Sequence, residues 1–190
     1  MMVKHIAITG GIGSGKSFVC QRLKARGIDI YDCDEGAKRL MRSSEDLKRR
    51  LTELIGPDTY VDGQLNKPVV TQFLLASEDN KQAINHIVHP AVMQDFYDSG
   101  MQWMESAILY EAHLEHYVDY VVCVTAPEDV RTERIMKRDG ISRERALEWI
   151  NRQMPQEEVA VWADYTIVND GATDIDAQIE ELMQSAPIMQ

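Results

Sequence analysis

Apolar residues come in short unbroken runs separated by stretches with helical spacing, and this alternation predicts most of the chain. Val3–Thr9 is an apolar run stopped by glycines, which predicts a buried strand. Lys16–Arg26 sets Val19 and Leu23 four apart among helix formers, and Gly27 follows as a stop. Ile28–Tyr31 predicts a second strand; Met101–Leu109 and Asp119–Thr125 predict a third and a fourth. Helices are expected at Pro127–Asp139, Ser142–Gln153 and Gln156–Ala163, then a fifth strand at Tyr165–Val168 and a closing helix at Ile175–Gln184. Met101, Trp103 and Met104 read as core around the third strand. Five short apolar strands with helices between them imply an α/β fold, a parallel sheet covered on both faces.

Residues 34–100 read almost entirely as helix, with one turn-rich break at Gly56–Gly63. That is too long for a simple crossover between strands two and three, so it is expected to be an insert covering a substrate. Lys48-Arg49-Arg50 reads as a solvated helix face. Pro90 reads as the first position of a helix with His89 as its cap.

Composition narrows the class. The 190 residues are 44% hydrophobic and 27% charged, ordinary for one globular domain. The longest uncharged apolar stretch, Tyr120–Pro127, is eight residues, whereas a membrane helix needs about 20. The N-terminus reaches glycines too soon for a signal peptide. Three cysteines, Cys20, Cys33 and Cys123, include no CxxC pair, so a reducing cytoplasmic compartment is expected. The net charge of −11 argues against a nucleic-acid binder, which needs a basic face. It leaves room for an anionic small substrate in a local basic pocket.

Residues 10–17 read GGIGSGKS, satisfying G-x-x-x-x-G-K-[ST] through Gly10, Gly15, Lys16 and Ser17 between a predicted strand and a predicted helix. Glycines let successive N–H groups turn onto phosphate oxygens, and the helix adds its positive end. Lys16 suits the β/γ-phosphates, and the Ser17 hydroxyl suits Mg²⁺. No glycine has Asp three residues before it, and the two Asn-Lys pairs, Asn66-Lys67 and Asn80-Lys81, have Val69 and Ala83 where N-K-x-D needs Asp, which argues against a GTPase switch. A small kinase or an ATP-sensing regulator remains. The second strand ends in Asp32-Cys33-Asp34, on the strand edge where ligands of parallel sheets bind. A carboxylate there can orient or deprotonate an acceptor hydroxyl; the other reading is that Asp34 only caps the next helix. Arg131, Arg134 and Arg138 share one helix face, either as lid cations for a transferring phosphoryl group or as a solvated face balanced by Glu128 and Glu133.

Together these residues resemble the dephospho-CoA kinase family. The resemblance runs from about Val3 to Gly171. It rests on Thr9–Ser17, on the DCD step followed by Ala37-Lys38, on Ile87–Pro90, on Ile108–Glu111, on Arg134–Ser142 with Gln153, and on the Ala163–Gly171 run. The sequence departs from the family after strand three, where Glu105 stands for the usual Asp and Ala107 for the usual Pro. The resemblance implies a three-layer P-loop kinase fold: core 1–35 and 101–190, helical substrate-binding insert 36–100, lid 131–155. It implies transfer of the ATP γ-phosphoryl group to the ribose 3′-hydroxyl of dephospho-CoA, with Mg²⁺, in a monomer or weak homo-oligomer. ATP would lie on Gly11, Ile12, Gly13, Ser14, Gly15, Lys16, Ser17 and Phe18, with Asn169 and Gly171 against the adenine. Asp34 would be the base and Asp32 its support, with Arg138 as the lid arginine. His89 and Arg134 would assist the acceptor, and Glu105 would serve the metal together with Ser17. Another small-metabolite kinase is the alternative enzyme.

Overall fold

The computed structural model describes residues 5–185. Contacts divide the chain into two compact units, one built from the segments before Asp32 and after Gly100, the other from Asp32–Gly100.

In the first unit, a five-stranded parallel sheet has the order β2-β5-β1-β6-β7. Its strands are β1 (Ile6–Thr9), β2 (Ile30–Asp32), β5 (Trp103–Glu105), β6 (Tyr120–Thr125) and β7 (Tyr165–Val168). β1 lies at the centre and pairs parallel with both β5 and β6, so all four of its residues are buried. Helices α1 (Lys16–Lys24) and α9 (Ile175–Ser185) touch each other and pack on β1 and β7 respectively. Ile6, Ile8, Val122, Val124 and Ile167 from the strands meet Val19, Leu23, Ile179 and Leu182 from the helices in one core. Burying each such side chain contributes about 1.5–3 kcal/mol. Helices α6 (Glu128–Asp139), α7 (Arg143–Asn151) and α8 (Gln156–Trp162) follow β6, and α6 and α7 share a small core of Ile135, Ala146 and Ile150. Among the described residues, no helix is long and apolar enough to cross a membrane.

The third strand is shorter than the Met101–Leu109 run predicts. After Glu105 the chain coils, with Ala112 N–H donating to Ile108 O at 2.8 Å and Leu114 N–H to Leu109 O at 2.8 Å. Leu109 and Tyr110 stay buried, so this apolar run is a buried turn, which periodicity does not separate from a strand. Of the predicted first strand, Val3 and Lys4 lie outside the described residues.

The second unit is helical, with α2 (Cys33–Ser43), α3 (Glu45–Ile55), α4 (Lys67–Ala76) and α5 (Glu78–Asp98). The expected break holds a hairpin of β3 (Tyr60–Val61) and β4 (Gln64–Leu65). Asp62 and Gly63, both at positive φ (50° and 75°), make its two-residue turn. Pro90 does not start a helix: it lies inside the 21-residue α5, whose N-cap is Ser77, accepting from Asn80 N–H. Ile84, Val88, Val92, Met93 and Phe96 are buried along α5, and α2, α3 and α4 all pack on it. That burial carries the helix through a residue that lacks an N–H. Lys48 and Arg49 sit on an exposed face, paired to Glu45, Asp46 and Glu53.

Candidate active site

β1 delivers the chain to a loop, residues 10–15, that feeds directly into α1. Gly13 and Gly15 sit at φ +79° and +89°. A Cβ on Gly13 would fall 2.7 Å from the Arg131 carbonyl oxygen, and one on Gly15 2.1 Å from the Asn169 amide nitrogen, so these positions exclude side chains on two counts. Gly13→Ala is expected to cost at least ~1–2 kcal/mol from the left-handed backbone alone, seen as a fall in Tm of several degrees. A thermal melt superimposable on wild type would contradict this geometry.

Side chains far along the chain hold the loop's carbonyls. Arg131 Nε donates to Ile12 O at 2.9 Å, and Arg134 Nη1 donates to Gly13 O at 3.3 Å and Ser14 O at 3.2 Å. Asn169, buried, donates Nδ2 to Ser14 O at 2.9 Å and accepts from Arg134 Nη2 at 3.2 Å. A trans peptide points its N–H opposite its carbonyl. Carbonyls drawn toward Arg131, Arg134 and Asn169 therefore turn the amides of Gly13 and Gly15 to the other side, into the hollow of the loop. No side chain caps α1, and its positive end faces the same hollow. The Ser14 hydroxyl is buried there with no hydrogen-bond partner. Converging donors, a helix N-terminus and an orphaned hydroxyl fit a polyphosphate.

Lys16 is 9% exposed, and its Nζ donates to Gly10 O at 2.8 Å, lying along the loop. Beneath it, burial pushes the Cys123 thiol up to about 11 against the opposing pull of Lys16 and Arg131, so this cysteine is a neutral packing group. Ser17 and Phe18 are exposed. The Phe18 ring lies under the Arg22 guanidinium at 4.9 Å, and its N–H donates to Gly15 O at 3.0 Å. Glu105 ends β5 in register with Ile8 of β1, which puts it on the sheet edge from which the loop springs. Among the described residues, no three His, Cys, Asp or Glu side chains group to hold a metal alone.

The three arginines of α6 divide. Arg131 is buried and Arg134 half-buried, both on the loop; burial pulls Arg131 down from its usual range, offset by Glu157 and Glu128. Arg138 is exposed and paired with Asp139 at 2.7 Å, so the structure does not bring it to the loop. Gly171 follows Asp170, whose carboxylate accepts from Ala172 and Thr173 N–H and is held below its usual range by the Thr173 amide first. A cavity of about 380 Å³ is lined in part by Thr125, Gln156, Glu128 and Glu157 and also by Arg131 and Gln153, so it adjoins the loop that these two residues hold.

In the helical unit, Asp32 is the N-cap of α2, accepting from Glu35 N–H at 2.9 Å, and Asp34 lies exposed in the first turn. The capping reading of Asp34 is thereby overturned: the cap is the residue two before it. His89 lies half-buried on α5.

Sequence reasoning missed two contacts. Arg131 was expected either as a lid cation or as part of a solvated face, and nothing in its spacing signals that it reaches Ile12. Gln153 stood in the family pattern without a role, yet its Oε1 accepts from Ile12 N–H at 2.6 Å.

Comparison with known proteins places the chain in one family. A family model described as dephospho-CoA kinase matches residues 4–174. The dephospho-CoA kinase of Bacteroides fragilis is 37% identical over 193 residues, covering 96% of this chain and 92% of that protein. That of Porphyromonas gingivalis is 39% identical over 171 residues, covering 86% and 85%. A crystal structure of a Thermus thermophilus protein superposes with a TM-score of 0.82 at 28% identity, covering 97% and 98% of the two chains.

Proposed function

Because the chain belongs to the dephospho-CoA kinase family, we propose that its phosphate loop and the carboxylates that follow β2 carry the ATP γ-phosphoryl group to the ribose 3′-hydroxyl of dephospho-CoA. The observation that carries this reading is the loop itself, whose Ile12 and Ser14 carbonyls are tied by Arg131, Arg134 and Asn169 so that the amides of Gly13 and Gly15 are turned the other way, where a polyphosphate would accept from them. The new bond forms between the 3′-oxygen and the γ-phosphorus, and the bond from that phosphorus to the β–γ bridging oxygen breaks. ADP leaves, and the hydroxyl proton passes to a carboxylate, for which Asp34 is the candidate. Asp34 is exposed, and its carboxylate is not the helix cap. Asp32, already accepting from Glu35, supports the start of α2.

Lys16 and the loop amides balance the charge of the phosphates. Ser17 and Glu105 are the residues that would hold Mg²⁺, which would supply positive charge against the negative charge of the reacting phosphates. Asn169 and Gly171 border the ATP site, and the helical unit, with His89, receives the CoA-type acceptor. Within residues 131–155, the stretch between the loop-bound Arg134 and Gln153 acts as a lid. Arg138 lies next to the C-terminus of α6, where Gly140 sits at φ +65° and supplies a bend, so closure would bring its guanidinium to the transferring group.

Arg138→Lys tests the lid role. Lysine keeps the charge but loses the planar fork. We expect kcat to fall about 10- to 100-fold, the loss of one charge-assisted hydrogen bond, with a smaller change in the KM for ATP. Arg143→Lys on the exposed face of α7 is the control; equal small effects from both would assign Arg138 to a solvated face. The function itself is tested by ADP release across a panel of acceptors. Release is expected with dephospho-CoA, and release with another hydroxyl compound instead would overturn the acceptor.

A further inference from the structure

We propose that Arg131 and Gln153 are positioning residues that set the phosphate loop by gripping one residue of it, Ile12. This rests on the kinase reading above. Gln153 Oε1 accepts from Ile12 N–H at 2.6 Å, and Arg131 Nε donates to Ile12 O at 2.9 Å. Both polar groups of one backbone residue are thus held by side chains 119 and 141 positions away. The Ile12 side chain packs into the small apolar core of Ile135, Ala146 and Ile150 between α6 and α7.

Two held peptide planes on either side of one Cα fix its φ and ψ. The direction of the next amide, Gly13 N–H, is then fixed as well. Without such a grip, a loop with glycines at 10, 11, 13 and 15 would have to be ordered by the nucleotide itself, which weakens binding. The grip is itself anchored. Met154 N–H donates to Glu111 Oε1 at 3.2 Å, and the Gln156 amide exchanges two 3.0 Å hydrogen bonds with the Ala126 backbone. The linker between α7 and α8 is therefore tied to the core just beyond Gln153. Arg131 is 4% exposed, and its guanidinium occupies the space above Gly11, where a Cβ would lie 2.4 Å from Nη2. Arg131 spends its Nε and Gln153 its Oε1 on the backbone of Ile12, and through these two bonds they act on phosphoryl transfer by way of Ile12.

The test uses steady-state kinetics of the full chain. Gln153→Met keeps the length and removes the acceptor. We expect kcat to fall about tenfold and the KM for ATP to rise about 3- to 10-fold, the scale of one hydrogen bond plus misplaced phosphates. The KM for dephospho-CoA should stay within about twofold, since the grip acts on the nucleotide side. Gln153→Glu restores an acceptor oxygen at the same reach. Its kcat should recover to within about threefold of wild type, while its KM for ATP stays raised by the added charge. A Gln153→Met enzyme with both ATP parameters within twofold of wild type would overturn the proposal, as would equal losses of kcat in the two variants. Amide exchange of the wild type without nucleotide reads the same grip with no substitution: Ile12 should exchange more slowly than Gly13 and Gly15, and equal rates would overturn it. A wild type that transfers no phosphoryl group would sink the kinase reading, and the exchange pattern would still judge the grip.

Discussion

Lys16→Ala is expected to lower kcat/KM by about 10²–10³ or more, the scale of removing one preorganised charge contact from a closed site. The ammonium lies along the loop on Gly10 O at 2.8 Å, where the phosphates would replace that carbonyl as its partner. The fold should survive. Truncation removes the bond from Nζ to Gly10 O, a term of about 0.5–1.5 kcal/mol, and leaves the central strand and its apolar contacts intact. Circular dichroism melts of the variant should stay within a few degrees of wild type while turnover collapses. Turnover close to wild type would show that the loop does not hold the reacting phosphates.

Asp34→Asn should cost roughly 10²–10⁴ in rate while ATP binding, measured by titration, is retained. Asn keeps the shape and removes the proton acceptor. The structure sharpens this test, because the cap of α2 is Asp32 and not Asp34. Losing the charge of Asp34 from the first helical turn costs about 0.3–1 kcal/mol of helix stability, too little to explain a large kinetic loss. Asp32→Asn is the companion variant: Asn caps about as well as Asp, so α2 stays formed and any rate loss measures support of catalysis. If Asp34→Asn kept full activity, Asp34 would not be the base.

The parallel sheet was legible because strands covered on both faces are nearly continuous apolar runs, as in Tyr120–Thr125, and such runs stand out between helical spacings. The phosphate loop was legible because its chemistry is local: eight consecutive residues hold glycines, Lys16 and Ser17 in one motif. What failed was of two kinds. Some local signals were ambiguous. The run ending at Leu109 is apolar as strand or as buried turn, and Pro90 looks like a helix start unless the burial of Val88, Val92 and Phe96 on either side is known. Asp62-Gly63 carried a hairpin signal that was read only as a turn. Other features are not local at all. Arg131 and Gln153 reach Ile12 across more than a hundred residues, and only the packing of α6 and α7 brings them there. The helical spacing grouped Arg131, Arg134 and Arg138 on one face, yet two grip the loop and one lies in solvent, because a face spanning two turns points its ends at different neighbours.

The central claim is that this loop directs the γ-phosphoryl group of ATP to one hydroxyl of dephospho-CoA. It is tested most directly by incubating the protein with dephospho-CoA, Mg²⁺ and ATP carrying ¹⁸O on its γ-phosphoryl group, then locating the label by ³¹P NMR and mass spectrometry. The account predicts label in a monoester on the ribose 3′-oxygen, formed in step with ADP and absent with Lys16→Ala. Label in inorganic phosphate alone, or on a different oxygen of the acceptor, would contradict it.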